Sequence, residues 1–403
     1  MDSALRSFSQ MLNTAILLAV ILAAAAIGIA FLCMYLMARS AWQHFRIRRF
    51  DARSIKIHGH WREIVRGEIP AEQWRSNSLQ CQIVQSIVIQ EIGAATDKDR
   101  VGLQDFLRTS GLVDRCIERV HRGSGWNRRR AMLALGAMRV PEAIAPLSEA
   151  LDDWQLDTRL AAVQALGRTG LPNAAEPIIE TYMAGGPKVP AGPAANALVR
   201  CYMDQPEALL PYLRRSSGES RELLARVASE LATQRMADEM IHLAGDPLPE
   251  VRACSAKALA VAPLPLAIPA LANLARDEVW FVRLRAVSAL NQILHPRAIP
   301  ILLEAMRDSN NLVRLKAAAA LAKFEHEAVE ILQTIVDSRD RDALRAMVSA
   351  LKLGGGFEKV VAQLNNPKFR DEATVLLLNA LRDGSSSLWS ARPADPVVES
   401  ALP

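Results

Sequence analysis

Apolar residues recur through most of this chain at helical spacing, and they recur in blocks. Within residues 111–383, a stretch with Leu, Ile and Val at three- and four-residue steps is followed by an acidic turn. A second stretch then returns, rich in small residues at the same steps. Residues 141–151, ended by Asp152 and Asp153 and followed by 155–168, form one such pair. Small side chains let neighbouring helices approach closely, while the larger ones fill a shared core. The pattern predicts a helical hairpin in each block.

The hairpins carry a signature, Asp-x5-Arg-x2-small-x2-Ala-Leu, at a step of about 31 residues. Asp153/Arg159/Ala162/Ala165/Leu166, Asp246/Arg252/Ser255/Ala258/Leu259, Asp277/Arg283/Ala286/Ala289/Leu290 and Asp308/Arg314/Ala317/Ala320/Leu321 show it in full. Arg128/Ala131/Ala134/Leu135 and Arg370/Ala373/Leu376/Leu377 match in part. Weaker copies fall at Ala191/Ala194/Ala197/Leu198, Leu224/Val227/Glu230/Leu231 and Leu344/Met347/Ala350/Leu351. Pro146, Pro177, Pro269 and Pro300 follow arginine positions by 17 or 18 residues, which places each in the first turn of a helix, where proline costs little. Together these marks predict about nine units over 111–383. A repeat of this length means an α-solenoid, an architecture that presents an extended surface to a partner.

The repeated charges have a structural reading. An aspartate just before a helix accepts bonds from its free N–H groups. An arginine further along reaches the aspartate of its own or of the next unit. Asp153, Arg159, Asp246, Arg252, Asp277, Arg283, Asp308 and Arg314 are therefore expected to form a ladder of partly buried ion pairs that fixes the stacking.

The stretches DEVWFVRLRAVSAL (277–290) and DSNNLVRLKAAAAL (308–321) resemble HEAT repeats of the short bacterial type that phycobilisome-lyase-like proteins also carry. The resemblance covers about two thirds of the chain. It implies an all-α fold in which a right-handed solenoid follows a single transmembrane helix. It also implies that the arginine-bearing second helices line a concave face. The solvent-facing positions Arg130, Lys257, Arg285, Gln292, Lys316 and Lys323 then form the partner-binding groove. Residues 184–193 depart from the pattern, because Gly and Pro replace the acidic turn and the arginine is missing.

The N-terminal region reads differently. After a short segment, 1–13, residues 14–38 are almost wholly apolar and uncharged. Twenty-five helical residues span ~37 Å, more than the ~30 Å hydrocarbon core, and a secretory signal has an apolar region of only ~7–15 residues. A transmembrane helix is predicted over 14–38. The basic, aromatic segment 39–66 places Trp42, Phe45, Arg46, Arg48 and Arg49 at the lipid headgroups. Eight basic and two acidic residues give that segment +6, against +5 for the whole chain, so residues 67–403 carry −1. Positive residues stay on the cytoplasmic side, which puts the N-terminus out and the solenoid in the cytoplasm at a bacterial inner membrane. Five cysteines without paired spacing agree with a reducing compartment. A near-neutral solenoid is a poor match for nucleic acid.

Residues 67–110 are expected to form a helical cap on the repeats, with Leu79 to Ile92 as an amphipathic helix, and 384–403 a disordered tail. His58 and His60 lack further ligands at metal-site spacing, and the glycines 354–356 read as a turn between helices. No reaction is proposed from these residues and no cofactor is expected. The functional expectation is a membrane-tethered adaptor, not an enzyme. It binds protein partners beside the lipid bilayer, and the resemblance suggests a membrane enzyme such as a glycosyltransferase. The alternatives are a phycobilin-lyase-like enzyme and an envelope-side scaffold of reversed topology.

Overall fold

The computed structural model describes residues 27–42, 55, 59, 63, 78–95, 97–185 and 189–359, and the chain divides into two compact units, 1–118 and 119–403. Every described element is helical. The division falls after Glu118, inside the helix Leu112–Arg122.

In the first unit, the amphipathic run predicted from Leu79 to Ile92 is the helix Ser78–Ala94, with Ile83, Val84, Ile87, Val88 and Ile92 buried. Phe106 and Leu107 of Asp97–Thr109 are buried as well, together with Val113 and Cys116 of the following helix. Residues 27–42 form a separate helix whose every residue is exposed, including Phe31, Leu32, Tyr35 and Met37. Among the described residues no helix is long and apolar enough to cross a membrane. Residues 14–26 of the expected span lie outside the described residues, as do Phe45, Arg46, Arg48 and Arg49 of the expected interface, the repeat copy at 370–377 and the tail 384–403.

The second unit is a stack of hairpins. The helix Gly125–Ala137 is followed by seven helix pairs among the described residues, the last being Ala328–Asp337 with Arg341–Leu353. Most first helices open with a 3-10 turn, and Pro141, Pro172, Pro206 and Pro296 sit at the start of theirs, where the missing N–H has no helical partner to lose. The later prolines 146, 177 and 300 fall within the first three residues of their α-helices, as the spacing predicts. Pro269 does not. Its helix, Leu264–Leu274, begins earlier and has no 3-10 turn of its own, so Pro269 sits in the interior.

Successive second helices stack on one another, and small residues set the distance between them. Ala162, Ala165, Ala286, Ala289, Ala317 and Ala320 are buried at the repeated positions. Two glycines bring the backbones closer still. A Cβ on Gly136 would lie 2.2 Å from the Ala165 carbonyl oxygen, and one on Gly167 would lie 2.6 Å from the Ala197 Cα. Both obstacles are the neighbouring helix itself, so no rotamer change relieves them. Gly136→Ala is expected to force the Gly125–Ala137 and Leu156–Thr169 helices apart and to lower stability by about 1–3 kcal/mol, the cost of overpacking. Urea titration followed by circular dichroism measures it, and an unchanged midpoint would show that the two helices separate freely.

Candidate functional site

The repeated charges sit at the turns between first and second helices. Arg252 donates from Nε to Asp277 Oδ2 at 2.6 Å and from Nη2 to Asp277 Oδ1 at 2.9 Å. Its Nη1 donates to the Asp246 carbonyl of its own turn at 3.0 Å. Arg283 repeats the arrangement one unit on, with Asp308 at 2.5 and 2.8 Å and the Asp277 carbonyl at 2.8 Å. Arg128 pairs with Asp153 and Arg221 with Asp246. Each of these arginines therefore ties backbone carbonyls of its own hairpin, in the turn for Arg252 and Arg283 and at the end of the first helix for Arg128, to the carboxylate of the next repeat. Of the two partners left open by the spacing, the carboxylate is always the neighbour's.

The aspartates do not cap their helices as expected. They stand two residues too early, so Oδ1 accepts the N–H of Gln155, Leu248, Val279 or Asn310, closing the turn ahead of the helix. Two further corrections concern membership. Arg221 is a rung that the spacing missed. The copy placed at Leu224/Val227/Glu230/Leu231 is three residues late, and Leu224, Val227 and Ala228 are the buried positions that follow Arg221. Conversely, Arg159 and Arg314 keep the backbone half of the arrangement but have no carboxylate partner among the described residues. Arg159 donates to the Asp153 carbonyl at 2.8 Å, yet the next turn holds Ala184 and Gly185, and its buried Nε has no acceptor among the described residues. Arg314 donates to the Asp308 carbonyl at 2.7 Å, and in the following turn Ser338 takes the aspartate's place, accepting the Asp340 N–H at 3.4 Å.

The ladder is partly desolvated. Side-chain exposure is 11% for Arg252 and 8% for Asp277. Burial alone raises the Asp277 carboxyl. The hydrogen bond from Arg252, the Val279 N–H and the charges of Arg252 and Arg283 outweigh it and hold that carboxyl below its ordinary value. Asp153 and Asp308 are lowered for the same reasons.

The outward face of the second helices carries the candidate groove residues. Arg130, Arg285, Gln292 and Lys323 are exposed, and Lys257 and Lys316 are half-buried. Lys257 is engaged by Glu230 of the preceding repeat. Only Arg285 and Lys316 come together, at the rim of a hollow of about 600 Å³ between Trp280–Ile293 and Asn311–Leu321. Trp280, Phe281 and Leu284 line one wall, Leu312 and Leu315 the other, with Ser288 and Ala319 beside them. Trp280 and Phe281 meet edge to face, centroids 6.0 Å apart. Sequence reasoning missed these apolar members because it sought polar outward positions. The available signal was Phe281 and Leu312 standing two residues before their arginines, where Glu219 and Glu250 stand in earlier repeats.

Among the described residues no cluster of His, Cys, Asp and Glu is placed to hold a metal. Burial pushes the Cys201 thiol up to about 12, and that of Cys254 upward, so neither is primed as a nucleophile.

Family models of HEAT repeats match residues 113–198, 206–291 and 268–352, more than half of the chain. The chain is a HEAT-repeat protein. Solved structures to which the chain is similar include human deoxyhypusine hydroxylase, 21% identical over 68% of this chain and 98% of that one, TM-score 0.27. The CpcE–CpcF complex of phycocyanin lyase from Nostoc is 18% identical over 66% and 94%, TM-score 0.24. Kap121p bound to Pho4p is 12% identical over 79% and 50%, TM-score 0.33. No curated protein matches this HEAT-repeat protein in sequence.

The ladder yields a test. Asp277→Ala leaves Arg252 buried without the carboxylate it forks and is expected to cost about 3 kcal/mol, the low end for breaking a buried pair. The acid limb has a definite sign. A carboxyl held below its unfolded value of about 3.9 contributes stability that is full above that pH and is lost as pH falls through the folded value. Thermal melts of the full chain should therefore be flat at mildly acidic pH and drop below about pH 4. Asp277→Asn should start lower and fall less steeply, and equal slopes would remove Asp277 from the ladder's acid response.

Proposed function

We propose that this HEAT-repeat protein is a membrane-tethered adaptor without catalytic activity of its own, whose second-helix face binds a protein partner at the cytoplasmic side of a bacterial inner membrane. The observation that carries the reading is the pairing of a HEAT solenoid with an uncharged, apolar stretch over 14–38 and a +6 segment immediately after it. The helix 27–42, exposed on all sides with its large apolar side chains, supports a lipid-facing role for that stretch. The charge asymmetry supports the orientation with the N-terminus out.

Tethering raises the effective concentration of the solenoid toward clients in the same membrane, so a modest groove suffices for occupancy. A membrane enzyme such as a polysaccharide glycosyltransferase is the client class this reading favours, with anionic lipid engaging Arg46, Arg48 and Arg49.

In-cell crosslinking followed by purification and mass spectrometry tests the adaptor reading, using the full-length chain beside one starting at Glu63. One membrane protein should copurify with the full-length chain and be depleted without the anchor; recovery of soluble proteins alone, or of nothing, from both overturns the reading. Topology is checked independently by C-terminal fusions. Fluorescent-protein signal and no alkaline phosphatase activity are expected, and the opposite result places the solenoid outside.

A further inference from the structure

The outward face of four consecutive second helices is patterned, not uniform. Two residues before the ladder arginine stand Glu219, Glu250, Phe281 and Leu312 in turn, and one residue after it stand Glu222, Ala253, Leu284 and Leu315. The face thus passes from carboxylates at Gly218–Glu230 and Pro249–Ala258 to an apolar hollow at Trp280–Ile293 and Asn311–Leu321. At the hollow, Trp280 is 42% exposed and Leu312 53%, and nothing among the described residues covers them. The only charges lining it are Arg285 and Lys316, and neither forms an ion pair among the described residues. At the other end, burial and the nearby charges of Glu250 and Glu219 push the Glu222 carboxyl up, with Arg226 offsetting only part of the effect.

We propose that this face takes an amphipathic helical segment of a partner protein, with apolar side chains seated in the Trp280–Leu315 hollow, carboxylates at Arg285 and Lys316, and basic residues over Glu222 and Glu250. Charge complementarity selects this occupant. A uniformly acidic segment meets the glutamates, a uniformly basic one meets the two cations, and a neutral apolar one complements neither set of charges. Neighbouring helices pack ~9 Å apart, so the four second helices span ~27 Å, which an α-helix of about 18 residues covers. The two charged ends also fix its direction across the repeats. Apolar anchors supply affinity and the charges supply orientation and rejection of wrong partners.

This inference rests on the adaptor reading only in taking the ligand to be protein. The test uses the full chain in detergent and three fluorescein-labelled 18-residue peptides with the same leucine anchors. One is acidic at one end and basic at the other, one carries Glu throughout, and one Lys throughout. Anisotropy should show the two-ended peptide binding at least about tenfold more tightly than either uniform one. Arg285→Glu with Lys316→Glu, both on the surface, should weaken the two-ended peptide about tenfold and improve the all-Lys peptide. Equal binding of the three peptides, or binding indifferent to the double substitution, overturns the assignment. Concentration-dependent self-association abolished by the double substitution also overturns it, since a second copy would then be the occupant. A membrane client that copurifies undiminished with the double variant leaves the adaptor reading standing and removes the groove. Peptide binding as described with no client in cells does the reverse.

Discussion

Each ladder arginine holds two things at once, the backbone of its own hairpin and the carboxylate of the next repeat, and the stack depends on that double hold. In Arg252 and Arg283 the Nη1 bonds to the turn carbonyls orient the guanidinium, and Arg159 and Arg314 keep these bonds with no carboxylate partner among the described residues. The Nε–Nη2 edge then presents a fixed fork to the aspartate, whose other lone pairs close the next turn. Shape alone would let Ala-rich helices slide along one another. The fork permits one register.

Because the ladder lies in the turns and the small residues lie between helices, the outward positions of the second helices, the Lys257–Glu230 pair apart, are spared the work of holding the stack. That frees them to vary. Glutamates, Trp280, Phe281, Leu312 and Leu315 occupy equivalent places on consecutive repeats without disturbing the buried Ala and Leu beneath them. A binding surface on such a scaffold is assembled from single outward residues on several helices, and its specificity comes from their order along the stack.

The hairpins were legible in sequence because burial repeats with the chain. Asp277, Arg283, Ala286 and Leu290 recur as a set, and each has one structural role. The rungs were less legible. Arg221 lacks an aspartate six residues before it, having Arg215 there, so a template that demands both misses it, although Asp246 waits 25 residues ahead as Asp277 does for Arg252. The hollow was hidden for a different reason. Leucine on a helix reads as core whichever way it points, and only the packing of Trp280–Ile293 against Asn311–Leu321 shows that Leu312 and Leu315 face out.

The vacant rung at Arg159 has a consequence for how the molecule comes apart. A stack coupled only between neighbours behaves like a one-dimensional chain of spins, in which the weakest link sets where cooperativity ends. At Arg159 one such link lacks a carboxylate and leaves a buried donor without an acceptor among the described residues. Unfolding that starts at an end is therefore expected to pause at such links, at Arg159 as at Arg314, before it passes to the neighbouring repeats.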